Sequence, residues 1–289
     1  MKATLSNILL PVDFSNRCVL AAPYVKTWAD RFGAVLNTLH VVTENAVGSD
    51  WSGECKYDDL SDLIAKRTAD LKCFSDHYFG ENVALHTVLS GDTADQIESF
   101  AKREKVDLIM LPRGHHNILS RIQHDSLTAT LLDRSSASVW TTEHVEALDP
   151  SSVNSILCAV HFELDVTLDC ENYRILQVVL DLATTFCAKV MFLRVIDRQE
   201  QASTKASAEQ RILAGPEPWL AQMRRDCGNS AEYVSKSGNV IAVISDTANE
   251  VDADLIVVGR TRPGTIGWGV QGNILKIGNT AGHPVLSVW

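Results

Sequence analysis

Apolar residues along this chain gather into short runs, separated by stretches in which they recur every three or four positions. In the first half the runs fall near 6–12, 35–42, 83–89, 106–111 and 137–142 and are rich in Val, Ile and Leu. Short runs that are apolar at most positions fit strands buried on both faces of a parallel sheet. Between the first two, Leu20, Tyr24, Trp28 and Phe32 recur every four residues, and Gly33 follows as a helix stop. Pro23 leaves the start of that helix open, because proline gives no backbone N–H. Leu176, Val179, Leu180, Ala183 and Phe186 make the matching stripe in the second half. Strand alternating with helix predicts an α/β architecture with a doubly wound sheet in each half.

The halves also repeat each other. Asn7-Ile-Leu-Leu-Pro-Val-Asp13 resembles Ser155-Ile-Leu-Cys-Ala-Val-His161, 148 residues later. Val106-Asp-Leu-Ile-Met-Leu111 resembles Ala253-Asp-Leu-Ile-Val-Val258, 147 residues later. One offset held at two separated places indicates a tandem duplication. The polar stretch Glu143-His-Val-Glu-Ala-Leu-Asp-Pro-Ser-Ser152 joins the copies, so we expect domains at 1–147 and 148–289. Irregular insertions follow the second strand of each half, near 43–58 and 197–217.

Composition narrows the function classes. The net charge of −10 argues against a nucleic-acid groove. Seven cysteines, scattered and without a C-x-x-C pair, fit reduced thiols in a cytoplasmic protein better than disulfides or zinc. The apolar runs are too short to cross a membrane, and the N-terminus lacks the pattern of a signal peptide.

Three features resemble the universal stress protein family in its tandem two-domain form. The first strand ends in Pro11-Val12-Asp13 before Phe-Ser; Ser90-Gly91-Asp92-Thr93-Ala94 follows the third; and Asp-Leu-Ile precedes a loop related to Gly-x2-Gly-x9-Gly-(Ser/Thr). The resemblance covers essentially the whole chain. It implies two tandem five-stranded parallel-sheet domains of the adenine-nucleotide alpha-hydrolase-like type, packed as a pseudo-dimer within the chain. Pairing of whole chains into a homodimer stays open. It also implies ATP or another adenine nucleotide, with Mg, as the ligand where the site is intact, and a role in the stress response. In ATP-binding members the first-strand aspartate and the second-strand valine hold adenosine, and the glycine loop holds phosphates. Glycines let backbone approach phosphate oxygens, and a helix N-terminus supplies free N–H groups.

Carried over position by position, the resemblance splits. In the first half Asp13 and Val41 fit the adenosine end, but Pro112, His115 and Asp125 replace the three glycines and only Ser126 is kept. Asp125 or Ser126 also reads as a simple helix cap; either way the carboxylate opposes a phosphate. In the second half Gly259 and Gly272 are kept, Arg262 replaces the middle glycine, and Asn273 stands for the Ser/Thr. Val195 matches Val41, but His161 stands where the aspartate should be, and Val240 where proline is usual. The second half is thus the better nucleotide candidate, although Gly264, Gly267 and Gly269 also read as turns and both Arg260 and Arg262 as solvated.

His115, His116 and His124 share one loop, but no carboxylate or cysteine has ligand spacing beside them apart from Asp125, so we assign no metal. No nucleophile elbow, H-E-x-x-H or P-loop is present. The sequence therefore points to a non-catalytic stress protein with degenerate sites. The alternative is a slowly hydrolysing ATP-binding protein using the second-half loop; a third reading is an interaction scaffold with both sites closed. Electron-transfer or ligase-like chemistry has only the α/β plan behind it.

Overall fold

The computed structural model describes residues 4–43, 60–80, 83–113, 127–147, 149, 152–160, 170–196, 225, 231–260 and 271–288. Two compact units emerge: Met1–Trp140 with Val145–Ser151, and Thr141–His144 with Ser152–Trp289.

The first half contains β1 (Asn7–Pro11), α1 (Asn16–Phe32), β2 (Val35–Val42), α2 (Leu60–Phe79), β3 (Val83–Ser90), α3 (Thr93–Glu104), β4 (Leu108–Pro112), a helical stretch α4 (127–134) and β5 (Ser138–Thr142). Its strands lie in the order β3-β2-β1-β4-β5. β1 pairs in parallel with β2 and β4, and β2 with β3. The second half contains β6 (Ser155–Ala159), α5 (Cys170–Phe186), β7 (Lys189–Ile196), β8 (Ala231–Ser237), α6 (Val240–Glu250), β9 (Leu255–Gly259), α7 (Gln271–Ala281) and β10 (Val285–Val288). The order repeats as β8-β7-β6-β9-β10. Every residue of β4, β5 and β10 is buried; β4 is apolar throughout, whereas β5 buries Ser138, Thr141 and Thr142 and β10 buries Ser287.

The Asp of each Asp-Leu-Ile motif has a structural task. Asp107 Oδ2 accepts from Ser6 N at 3.0 Å and Ser6 Oγ at 2.8 Å. Asp254 Oδ2 accepts from Asn154 N at 2.6 Å and Ser155 N at 3.0 Å. Each carboxylate thus ties the entry of its fourth strand to the entry of its first. The turn after the third strand is also shared. Gly91 (φ 132°) and Gly238 (φ 151°) take backbone angles that side chains rarely adopt. The next residues, Asp92 and Asn239, cap α3 and α6 by accepting from Asp95 N and Ala242 N, both at 3.1 Å.

Helix α1 departs from its expected stripe. Leu20 is 40 % exposed, and the buried face is Ala21, Tyr24, Val25, Trp28 and Ala29. A spacing of four drifts off a helix that turns every 3.6 residues, and the alanines complete the face that the bulky residues alone misplace. Pro23 lies inside the helix on its exposed side, where water can satisfy the carbonyl of Val19. Gly33 closes α1 in the left-handed conformation, as its position predicts. Leu176, Val179, Ala183 and Phe186 of α5 are buried, and Leu180 is half-buried.

Candidate functional site

In a parallel sheet whose strand order reverses beside the first strand, a crevice opens beyond the carboxyl ends of the strands. In the first half β1 lies between β2 and β4, and a cavity of about 890 Å³ lies at that end. Its wall includes Pro11, Val12 and Asp13 after β1, His40 and Val41 of β2, Asp92 and Asp95 at the start of α3, Pro112 and Arg113 at the end of β4, and Thr128 and Arg134 of α4. Asp13, Val41 and Pro112, separated by up to a hundred residues in sequence, therefore meet at one cavity. His115, Asp125 and Ser126 lie outside the described residues, as do His116 and His124.

Asp13 sits where the chain leaves the sheet. Phe14 turns into the left-handed region (φ 59°), and Ser15 then starts α1 without a side-chain cap bond. Its hydroxyl turns back instead, donating to Asp13 Oδ1 at 2.5 Å, while Ser15 N donates to the same oxygen at 3.0 Å. The Cys18 thiol donates to Oδ1 at 3.0 Å, and Arg17 pairs with Oδ2. Burial alone would raise Asp13, but Arg17 and the bonds from Ser15 and Cys18 outweigh it and hold the carboxyl at about 2. Burial, reinforced by the Asp13 charge, pushes the Cys18 thiol up to about 12. The pair is thus a fixed anion beside a fixed thiol. Neither is poised to exchange a proton near neutrality.

At the β2 wall, His40 Nδ1 lies 2.7 Å from the Val12 carbonyl. The ring tilts against Phe14 at 4.7 Å between centroids. Burial pulls His40 below its ordinary range despite the Val12 bond, so the ring is neutral at pH 7. At the end of β4 the Arg113 side chain is buried, 3 % exposed. Arg134 pairs with Asp95 at 3.4 Å on the outer wall. Sequence reasoning missed Arg17, Cys18, His40, Arg113 and Arg134. The first had a local signal, since an arginine four residues after an aspartate at a helix start can reach back to it.

In the second half Val195 is buried in β7 and Gly259 ends β9. A Cβ on Gly259 would meet only Ile175 Cδ1, at 3.5 Å, an ordinary contact; packing among the described residues does not demand glycine there. Gly272 and Asn273 lie in the first turn of α7. His161 and Arg262 are outside the described residues. Arg194 precedes Val195 as His40 precedes Val41, and Arg260 follows Gly259 as Arg113 follows Pro112. Among the described residues no group of three His, Cys, Asp or Glu side chains could hold a metal ion, and no helix is long and apolar enough to cross a membrane.

The family model described as "Universal stress protein family" matches residues 4–142 and again 166–286. The chain belongs to the universal stress protein family. Its two matches are the tandem arrangement that the 147-to-148-residue offset indicates. Among solved structures, a universal stress protein from Archaeoglobus fulgidus DSM 4304 is similar over 99 % of this chain and 96 % of its own, at 16 % identity and a TM-score of 0.71. A functionally unknown protein from Pseudomonas aeruginosa PAO1 is similar over 98 % and 92 %, at 17 % identity and a TM-score of 0.59. The cytoplasmic domain of a prokaryotic cation chloride cotransporter is similar over 98 % and 94 %, at 12 % identity and a TM-score of 0.52. At these identities the likeness concerns the fold, which carries different functions in different proteins. A comparison with curated proteins finds no match. Family membership supports a part in the stress response for this universal stress protein.

Proposed function

We propose that this tandem universal stress protein works by binding a small ligand rather than by catalysis, and that its first-half cavity takes the nucleoside end of an adenine nucleotide. One observation carries the reading: Asp13 and Val41, which the family resemblance assigns to the adenosine end, line a single cavity of about 890 Å³, together with Pro112, which stands where the family has a glycine. That volume falls in the range of small-molecule sites. The strongly held Asp13–Cys18 pair favours binding over chemistry, since a base or nucleophile works best with a pKa near the working pH.

A second reading places ATP at the second-half loop. It is favoured by Gly259, whose lack of a side chain packing does not require, and by Gly272 and Asn273 in the first turn of α7. Mass spectrometry of small molecules released from purified protein, followed by calorimetric titration with adenosine, AMP and ATP with and without magnesium, separates the two. Binding of adenosine and AMP that Asp13→Ala weakens supports the first-half reading. Magnesium-dependent ATP binding that Gly272→Asp abolishes and Asp13→Ala spares supports the second. No adenine ligand released and no heat of binding would sink both.

A further inference from the structure

The carboxylates that line the first-half cavity are engaged by the protein itself. Asp92 caps α3, and Asp95 pairs with Arg134. Asp13 is engaged most fully. A carboxylate offers about four acceptor sites. Ser15 N, Ser15 Oγ and the Cys18 thiol donate to Oδ1, and Arg17 Nη2 donates to Oδ2. A donor on a ligand can therefore bond Asp13 only by displacing one of these groups.

They are not equally easy to displace. Ser15 N belongs to the backbone at the N-cap of α1. Ser15 Oγ sits on a short stem, and Cys18 is 2 % exposed in the first turn of the helix. Arg17 alone reaches Asp13 with a long, flexible side chain, which other rotamers would carry into water. That side chain is nevertheless only 14 % exposed, folded back onto a carboxylate that is 39 % exposed. Both residues line the cavity. At the repeat offset of 148 residues Asp13 corresponds to His161 and Arg17 to Asp165, so the second half does not repeat the pair in its sequence.

We infer that Arg17 is a built-in competitor at the first-half cavity: its guanidinium holds the Asp13 oxygen that a ligand's hydrogen-bond donor would need, and a donor-bearing ligand binds there by displacing it. The inference rests on the nucleoside reading of that cavity. Such a ligand gives up part of its binding energy to break the ion pair. Because the pair is partly exposed, water and salt screen it, and the competition is worth roughly fivefold in affinity.

Calorimetric titration of the full chain with adenosine tests this. Arg17→Met keeps a long side chain and removes the charge; it should bind adenosine roughly fivefold more tightly than the wild type. In an Asp13→Ala background the same substitution should bring no gain, because no carboxylate is left to compete for. Absence of a gain in Arg17→Met overturns the inference, and the nucleoside reading stands if Asp13→Ala still weakens wild-type binding. A gain that persists without Asp13 also overturns it, since Arg17 would then act by its bulk. Binding by neither the wild type nor Arg17→Met overturns both. Nitrogen-15 NMR of arginine-labelled wild type provides a readout that needs no variant of the pair. The Arg17 Nε resonance should move on saturation with adenosine, and a resonance that stays in place rejects displacement.

Discussion

The two halves of this chain are built by the same devices at matching positions, yet they differ where a ligand would be held. Asp107 and Asp254 each tie the first strand to the fourth, and Gly91-Asp92 and Gly238-Asn239 each make the turn and cap the helix that follows. Around the site the correspondence breaks. In sequence Asp13 corresponds to His161, His40 to Arg194, and Pro112 to Gly259. Structural positions survive duplication because each serves the local sheet, which both halves share. Site positions serve a ligand, and the two halves need not share one. The cores differ as well. α1 packs through aromatic rings, with Trp28 5.6 Å from Tyr24 and Tyr24 stacked on Trp140 at 4.9 Å. α5 has Val178 and Leu182 at the places of Tyr24 and Trp28.

The largest effect should come from that core difference. Trp28→Ala should destabilise the protein by about 3–5 kcal/mol and Leu182→Ala by about 2–5 kcal/mol. Urea unfolding followed by circular dichroism should show each variant lowering the transition that belongs to its own half. A single transition lowered equally by both would break the picture of two independent cores.

Removing the strand clamps comes next. Asp107→Ala and Asp254→Ala each break two hydrogen bonds to a carboxylate and should each cost about 2–3 kcal/mol in the same assay. Unequal losses would show that the second copy has relaxed this constraint.

The turn glycines should then separate the halves. A Cβ on Gly238 would lie 2.9 Å from Val243 Cγ2, whereas one on Gly91 would lie 3.0 Å from the end of the flexible Gln96 side chain. Both substitutions strain the backbone, but only Gln96 can swing away. Gly238→Ala should therefore cost about 2–3 kcal/mol and Gly91→Ala about 1–2 kcal/mol.

Acid should affect the first half through Asp13. Its folded pKa of about 2 lies below the ordinary 3.8, so its contribution is complete above about 3.8 and is lost as pH falls through about 2. The side chain is 39 % exposed, and solvent screening limits the effect to about 1 kcal/mol or less. Stability measured between about pH 4 and about pH 2 should fall more steeply in the wild type than in Asp13→Asn. Parallel profiles would remove Asp13 from the account.

The smallest effect concerns the ends of α1 and α5. Gly33 and Cys187 both follow their helices at φ 57°. Cysteine is strained there and glycine is not. Cys187→Gly should stabilise by about 0.5 kcal/mol, and Gly33→Ala should destabilise by about 1 kcal/mol, visible as opposite shifts in melting temperature.

Much of this was legible in the chain itself. Strand positions and the doubled plan followed from apolar runs and a constant offset, because a strand buried on both faces must be apolar at most positions wherever it occurs. Leu20 shows the limit of such reading. Counting bulky residues placed it in the core, while Ala21 and Ala29, too small to stand out, define the face that is buried. Among site residues, Asp13 and Val41 could be named by resemblance. His40 could not, because its contact with the Val12 carbonyl forms only when the first two strands lie side by side.

The sequence by itself determined the architecture: hydrophobic periodicity is a local property, and it specifies strand and helix wherever the pattern is long enough. Only the tertiary structure decided what the cavity is made of. Val12 and His40 meet, Arg17 turns back onto Asp13, and Arg113 is buried at the same wall because a parallel sheet gathers the ends of strands that are distant in sequence. Hydrogen-bond direction and burial belong to that gathering, and no single segment carries them.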